Sequence, residues 1–103
     1  MKLRIEAAAK EELRAAAAWY DLQRDGLGLE LLAEVDSGVQ RIRRAPLQFP
    51  RLETVPEEPH VRRLLLDRFP FALIYEASEE EIHILAVAHT SRRPGYWKSR
   101  DAR

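Results

Sequence analysis

The sequence contains no cysteine. That excludes disulfides, thiolate metal centres and a cysteine nucleophile, and it fits a reducing compartment, so a cytoplasmic location is expected. Glycine is scarce, with only four residues, and none of them forms a phosphate-cradling loop or a serine elbow. No apolar run approaches the roughly 20 residues that span a bilayer. Residues 1–6 alternate charged and apolar side chains without the apolar centre of a secretory leader. Neither a membrane anchor nor a leader is therefore expected. The three histidines are scattered, and no i, i+4 pair beside a carboxylate occurs, so no metal and no cofactor are expected. Excess charge is also missing: 17 basic residues meet 17 acidic ones, whereas a nucleic-acid-binding domain is usually strongly basic.

What is present fits one domain over residues 1–103, which can bury about two-thirds of its unfolded surface in a single core. The charge is uneven along the chain. Residues 1–59 hold nine basic and eleven acidic side chains, and residues 60–103 hold eight and six. The end is the most lopsided part, with Arg92, Arg93, Lys98, Arg100 and Arg103 against Asp101 alone after His83. Such a tail suits phosphate or an acidic protein partner.

Hydrophobic periodicity predicts the elements. Leu3 and Ile5 share one face of a short strand over 2–6. Residues 7–24 are alanine-rich and helical, with Ala9, Leu13, Ala16, Ala17 and Tyr20 as the apolar stripe and Glu11, Glu12, Arg14 and Asp21 outside. Gly26 is expected in the left-handed conformation that stops this helix. A second helix over 29–44 follows at once, with Leu32, Val35, Val39 and Ile42 facing inward. The short connection folds the two into an antiparallel hairpin, and Gly38 is expected to let the first helix approach closely. Pro46, Pro50, Pro56 and Pro59 forbid regular structure over 45–59. That segment reads as an ordered crossing loop pinned by Phe49, Leu52 and Val55.

Three strands then follow, over 60–67, 71–77 and 81–89, joined by turns too short for anything but antiparallel pairing. The last two are apolar on both faces, so both faces of the sheet must be covered: one by the hairpin, the other by the proline-rich loop, the tail or a partner. Residues 95–103 can form a helical turn. The expected fold class is α+β: an N-terminal strand, an antiparallel helical hairpin packed on an antiparallel sheet, and a short C-terminal helical turn.

The densest chemistry lies at 89–97, immediately after the last strand, where a loop can face a ligand from a fixed platform. Arg92 and Arg93 can hold phosphate or carboxylate bidentately. Tyr96 and Trp97 can stack on bases or anchor an interface; equally, they can cover the open sheet face while Pro94 sets a turn. Of the adjacent Arg62 and Arg63, only one can face a common site, and Arg68 sits in the next turn. His89, at the strand exit, is a candidate acid–base group, whereas His83 inside the strand is structural and His60 lies on the surface. The acidic pairs, Glu11–Glu12 among them, read as solvated charge.

Three motifs now combine. A-A-A-W-Y-D-L-Q-R-D-G-L-G-L-E-L-L at 15–32, R-F-P-F-A-L-I-Y at 68–75 and I-L-A-V-A-H-T-S-R-R-P-G-Y-W at 84–97 together resemble the plasmid-stabilisation subgroup of the RelE/ParE toxin superfamily, across essentially the whole chain. The resemblance implies a toxin of a type II toxin–antitoxin module, held in a hetero-oligomer by a cognate antitoxin laid over its surface. It offers two targets. RelE-type members are ribosome-dependent, metal-independent mRNA endoribonucleases; here His89 or Tyr96 would serve as the acid–base group and Arg63, Arg68 and Arg92 as phosphate holders. ParE-type members poison DNA gyrase; here Arg92, Arg93, Tyr96 and Trp97 would form the working surface.

The nuclease pattern is only partly kept. Tyr96 and Arg63 match it, but Leu65, Ala72 and Thr90 stand where basic residues are expected, with Arg92 close to the last. Each lost phosphate contact weakens charge stabilisation by roughly 2–4 kcal/mol, and near-zero net charge disfavours RNA docking. Gyrase inhibition is therefore the favoured expectation, mRNA cleavage the alternative, and a binding module without toxicity the third.

Overall fold

The computed structural model describes residues 2–101, with the side chain of Asp101 excluded; Arg103, counted above in the basic tail, lies outside them. The elements are β1 (Lys2–Ile5), α1 (Ala7–Gln23), α2 (Leu27–Arg44), β2 (Val61–Leu65), β3 (Phe71–Ala77), β4 (Glu81–His89) and a terminal 3-10 turn, Lys98–Asp101. They form one four-stranded sheet in the order β1-β4-β3-β2. The three later strands pair antiparallel as their turns require. β1 instead lies parallel to β4, Leu3 opposite Ile82 and Ile5 opposite Ile84, because the hairpin carries the chain back across one face before β4 arrives. The sheet is thus mixed, where an antiparallel one was expected.

The helical hairpin covers one face. Ala9 and Ala17 of α1 and Leu31, Val35, Val39 and Ile42 of α2 bury against Leu64, Leu73, Tyr75, Ile82, Ile84 and Val87. The inward stripe of α2 begins at Leu31; Leu32 is exposed. The two helices meet through Gly28, not Gly38. A Cβ at Gly28 would stand 2.4 Å from the Ala17 carbonyl oxygen, while one at Gly38 would meet Leu73 and Leu64 of the sheet. Gly26 takes φ +89° as expected, and Asp21 accepts a 2.8 Å hydrogen bond from the Gly28 N–H, closing the turn between the helices.

The crossing loop lies along β2 and the opposite face. Arg51 bridges to Arg62, Leu52 N–H donates to the Val61 carbonyl at 3.0 Å, and Tyr75 donates its hydroxyl to the Pro46 carbonyl at 2.6 Å. Leu52, Val55 and Trp97 then close a second core over Val61, Ala72, Ile74, Leu85, Ala86 and Ala88. The tail does cover the sheet, as one of the two sequence alternatives held.

A β-bulge decides which way the end of β4 faces. The register with β3 passes from Tyr75 opposite Ile84 to Ile74 opposite Ala86, leaving Leu85 extra. An extra residue swaps the faces of everything beyond it. Leu85 and Ala86 both join the second core, and Val87 turns to the helices.

Candidate functional site

A groove of about 160 Å³ opens on the second face, between β2 and the loop after β4. Arg63 and Leu65 of β2, Ala72 and Ile74 of β3, Ala88 of β4, and Thr90, Arg92, Arg93 and Tyr96 of the exit loop border it, with Thr54 from the crossing loop. Strand alternation puts Arg63 there and turns Arg62 away, where it donates to the Phe49 carbonyl at 2.7 Å. The floor is aliphatic and the rim cationic. Among the described residues, Arg63, Arg92 and Arg93 have no carboxylate partner, whereas Arg14, Arg24, Arg68 and Arg100 are ion-paired. Three guanidiniums around one depression create a local positive field on a neutral protein and present forks to a carboxylate or phosphate.

The tyrosine is held differently from the arginines. Arg92 lies over one part of its ring system, Cζ 3.9 Å from the centroid, and Arg100 lies 5.1 Å from it. The Tyr96 hydroxyl donates to Glu12 Oε2 at 2.5 Å. Glu12 also takes both arms of Arg100, at 2.8 and 3.0 Å. Burial, and then the Glu12 carboxylate, push the Tyr96 phenol above its ordinary range. A phenol that is already donating to a carboxylate and resists ionisation is a poor proton acceptor for a substrate hydroxyl.

The other candidates separate. His89 borders the groove, but the bulge turns its ring to the helix side, edge-on to Phe71 at 5.1 Å. Its Nδ1 accepts from the Ser91 N–H at 3.1 Å. Trp97 is 2% exposed and forms the core under the groove, so it offers no contact surface; a large indole is worth more buried than solvated. Arg68 lies in the turn between β2 and β3, at the same end of the sheet as the exit loop, where the Thr90 N–H donates to the Pro70 carbonyl at 2.9 Å, but its side chain turns to the helix side. It pairs with Glu30 on α2, while Glu34 accepts the Asp67 and Arg68 amides, so it locks the β2–β3 turn and does not reach the groove. His83 is buried beside Glu6, Nε2 to Oε2 2.6 Å, as its structural assignment required.

The pairing of Glu12 with Arg100 is not legible in the sequence. Glu12 read as half of a solvated acidic pair on the outside of α1, yet it is largely buried. No local signal marks it, because its partners lie 75 to 88 residues away.

Over residues 3–94 the chain matches the family described as ParE toxin of type II toxin-antitoxin system, parDE. None of the curated proteins compared with it matches. Among solved structures, a chain described as the chromosomal ParDE TA system from P. aeruginosa superposes with a TM-score of 0.72 at 24% identity, covering 86% of this chain and 95% of that one. The same architecture therefore recurs there. With nearly the whole chain matched, the protein belongs to the ParE toxin family and is the toxin component of a type II module, whose partner is an antitoxin.

Proposed function

We propose that this toxin acts by docking on a protein target, DNA gyrase, and not by cutting RNA. The working surface is the groove rim, with Arg63, Arg92 and Arg93 as anion-binding contacts and the Tyr96 ring as a stacking platform. One observation carries the reading: the groove unites the positions where a nuclease would need cations and an acid–base group, and they are Leu65, Ala72 and Thr90 beside a Tyr96 whose hydroxyl is committed to Glu12. The aliphatic floor and guanidinium rim suit a protein surface with an acidic fringe. The toxin would work in the cytoplasm, in a hetero-oligomer with its antitoxin until released; among the described residues no helix is long and apolar enough to cross a membrane. Three arginines without a carboxylate partner among the described residues favour a second reading, ribosome-bound mRNA, with His89 as the remaining acid–base candidate.

Expression from a tightly controlled promoter separates the two. The expected result is growth arrest with DNA breaks, and inhibition of supercoiling by the purified chain. Codon-positioned mRNA cuts without DNA damage would replace the first reading by the second. Unimpaired growth would leave only a binding module.

A further inference from the structure

The sheet has an unusual edge. β1 pairs with β4 only as far as Ile84, where the Glu6 N–H donates to the Ile84 carbonyl at 3.0 Å. β4 continues to His89. Beyond β1, its backbone groups would be left without partners, and each buried one would keep its full desolvation penalty. Two side chains take the place of the missing strand. Glu12 Oε1 accepts from the Val87 N–H at 3.1 Å, and Arg100 Nη1 donates to the Leu85 carbonyl at 3.1 Å. The same two side chains bind each other through both arms of the fork, and the second Glu12 oxygen receives the Tyr96 hydroxyl.

We infer that Glu12 is a positioning residue for the groove: from α1 it fixes Tyr96 and Arg100, and through the Tyr96 ring it aims the Arg92 guanidinium at the rim. This rests on the groove being the working surface. The chain of contacts is short and complete. Glu12 receives four hydrogen bonds, which fixes a side chain that would otherwise sample several rotamers. The bond fixes the hydroxyl end of the ring, so the side chain cannot swing to another χ1 rotamer without breaking a charge-assisted bond. Two guanidiniums lie against the ring so held, Arg92 Cζ 3.9 Å and Arg100 Cζ 5.1 Å from its centroid. Arg92 is exposed and has no carboxylate partner among the described residues, so the ring is what orders it. Without that order, a long cationic side chain must give up rotamer freedom on meeting its target, which weakens binding.

The Glu12→Gln variant tests this. It keeps the size and one acceptor for Val87 but replaces the other oxygen by a donor facing Tyr96 and Arg100. In the wild type, the Arg92 side-chain protons should be displaced upfield by the Tyr96 ring current. In Glu12→Gln that displacement should collapse, while the methyl resonances of Leu31 and Leu73 stay in place. The dose needed for growth arrest should rise about tenfold, one decade being the step that ~1.4 kcal/mol of contact free energy represents. Arg92→Ala should raise the dose at least as much, and adding Glu12→Gln to Arg92→Ala should change little more, since both act through one guanidinium. Arg100→Lys, which keeps the charge and loses the fork, should move the same resonances if Glu12→Gln fails to fold.

Unchanged Arg92 resonances in the folded variants would overturn the inference. So would an undiminished Glu12→Gln effect in the Arg92→Ala background. Arg92→Ala with full toxicity would instead sink the groove as the working surface, whatever the resonances show, and the inference would fall with it.

Discussion

The two faces of the sheet are covered by different means. On one side two regular helices lay a continuous apolar stripe over the strands. On the other, single residues from irregular segments do the work: Leu52 and Val55 from the crossing loop and Trp97 from the tail. On the helix side one groove carries a single arginine, Arg41, beside Glu34 and Asp67; on the second, three, Arg63, Arg92 and Arg93, surround one. Regular cover is stiff and periodic, and loop cover can vary without disturbing the helices. On the proposed reading both faces carry core but only the second recognises the target, and Glu12 joins the two, reaching from α1 around the edge of β4 to the tail.

If the second face is true core, its anchor should cost as much as a helix-side residue. Leu73→Ala on the helix side should destabilise by about 2–5 kcal/mol, and Trp97→Ala on the other by about 3–5 kcal/mol. Both side chains are almost fully buried. Denaturant unfolding should show one cooperative transition in each variant. A Trp97→Ala protein that unfolds at the wild-type midpoint would show the tail to be a detachable cover.

The next effect compares the two sides through their tyrosines. On the helix side, burial pushes the Tyr75 phenol up to about 12. On the tail, Tyr96 is raised as well, by burial and then by Glu12. A phenol near 10 when unfolded and higher when folded holds its proton longer in the native state. Its contribution is therefore complete below about pH 10 and is lost as the pH climbs toward 12. Urea midpoints measured from pH 8 to 12 should be level at first and then fall, and Tyr75→Phe should flatten part of the fall. A midpoint independent of pH across that window contradicts the burial argument.

Smaller still is the difference between two helix glycines. Gly28→Ala forces a Cβ against the Ala17 carbonyl and should cost about 1–3 kcal/mol through backbone displacement. Gly38→Ala meets only the ends of Leu73 and Leu64 side chains, and the gain of about 1 kcal/mol in helix propensity offsets that contact. Equal thermal shifts in the two variants would show that the helices do not meet at Gly28.

What could be read in the sequence follows the same division. The strand ranges 71–77 and 81–89 and both helices were legible because hydrophobic period is a local property. The choice between Leu31 and Leu32 was not, since consecutive leucines satisfy either stripe. The parallel pairing of β1 was hidden because a short alternating run names no neighbour. The bulge at Leu85 was hidden because a strand apolar on both faces looks the same with or without it, yet it sends the His89 ring to the helix side. On the second face nothing repeats. Trp97 was ambiguous between contact and cover, and Glu12 resembled any surface acid, because only the finished topology shows that β4 outruns its partner.

The smallest expected effect on stability should be the largest on function, and it sets the two sides furthest apart. Arg92 and Arg93 are exposed. Arg92 loses one exposed cation–π contact on truncation, worth about 0.5–1 kcal/mol, and a solvated arginine elsewhere changes stability by less than about 0.5 kcal/mol. Arg92→Ala with Arg93→Ala should therefore keep a thermal midpoint close to wild type. The same pair removes two of the three guanidiniums on the groove rim, and toxicity on induction should be largely lost. Ion pairs at a protein interface act through both encounter and retention, so the loss should appear in a slower approach to the target as well as weaker binding. A folded, fully toxic double variant would move the working surface off this face. A variant without a thermal transition would make the pair part of the cover, and the separation between stability and recognition would not hold.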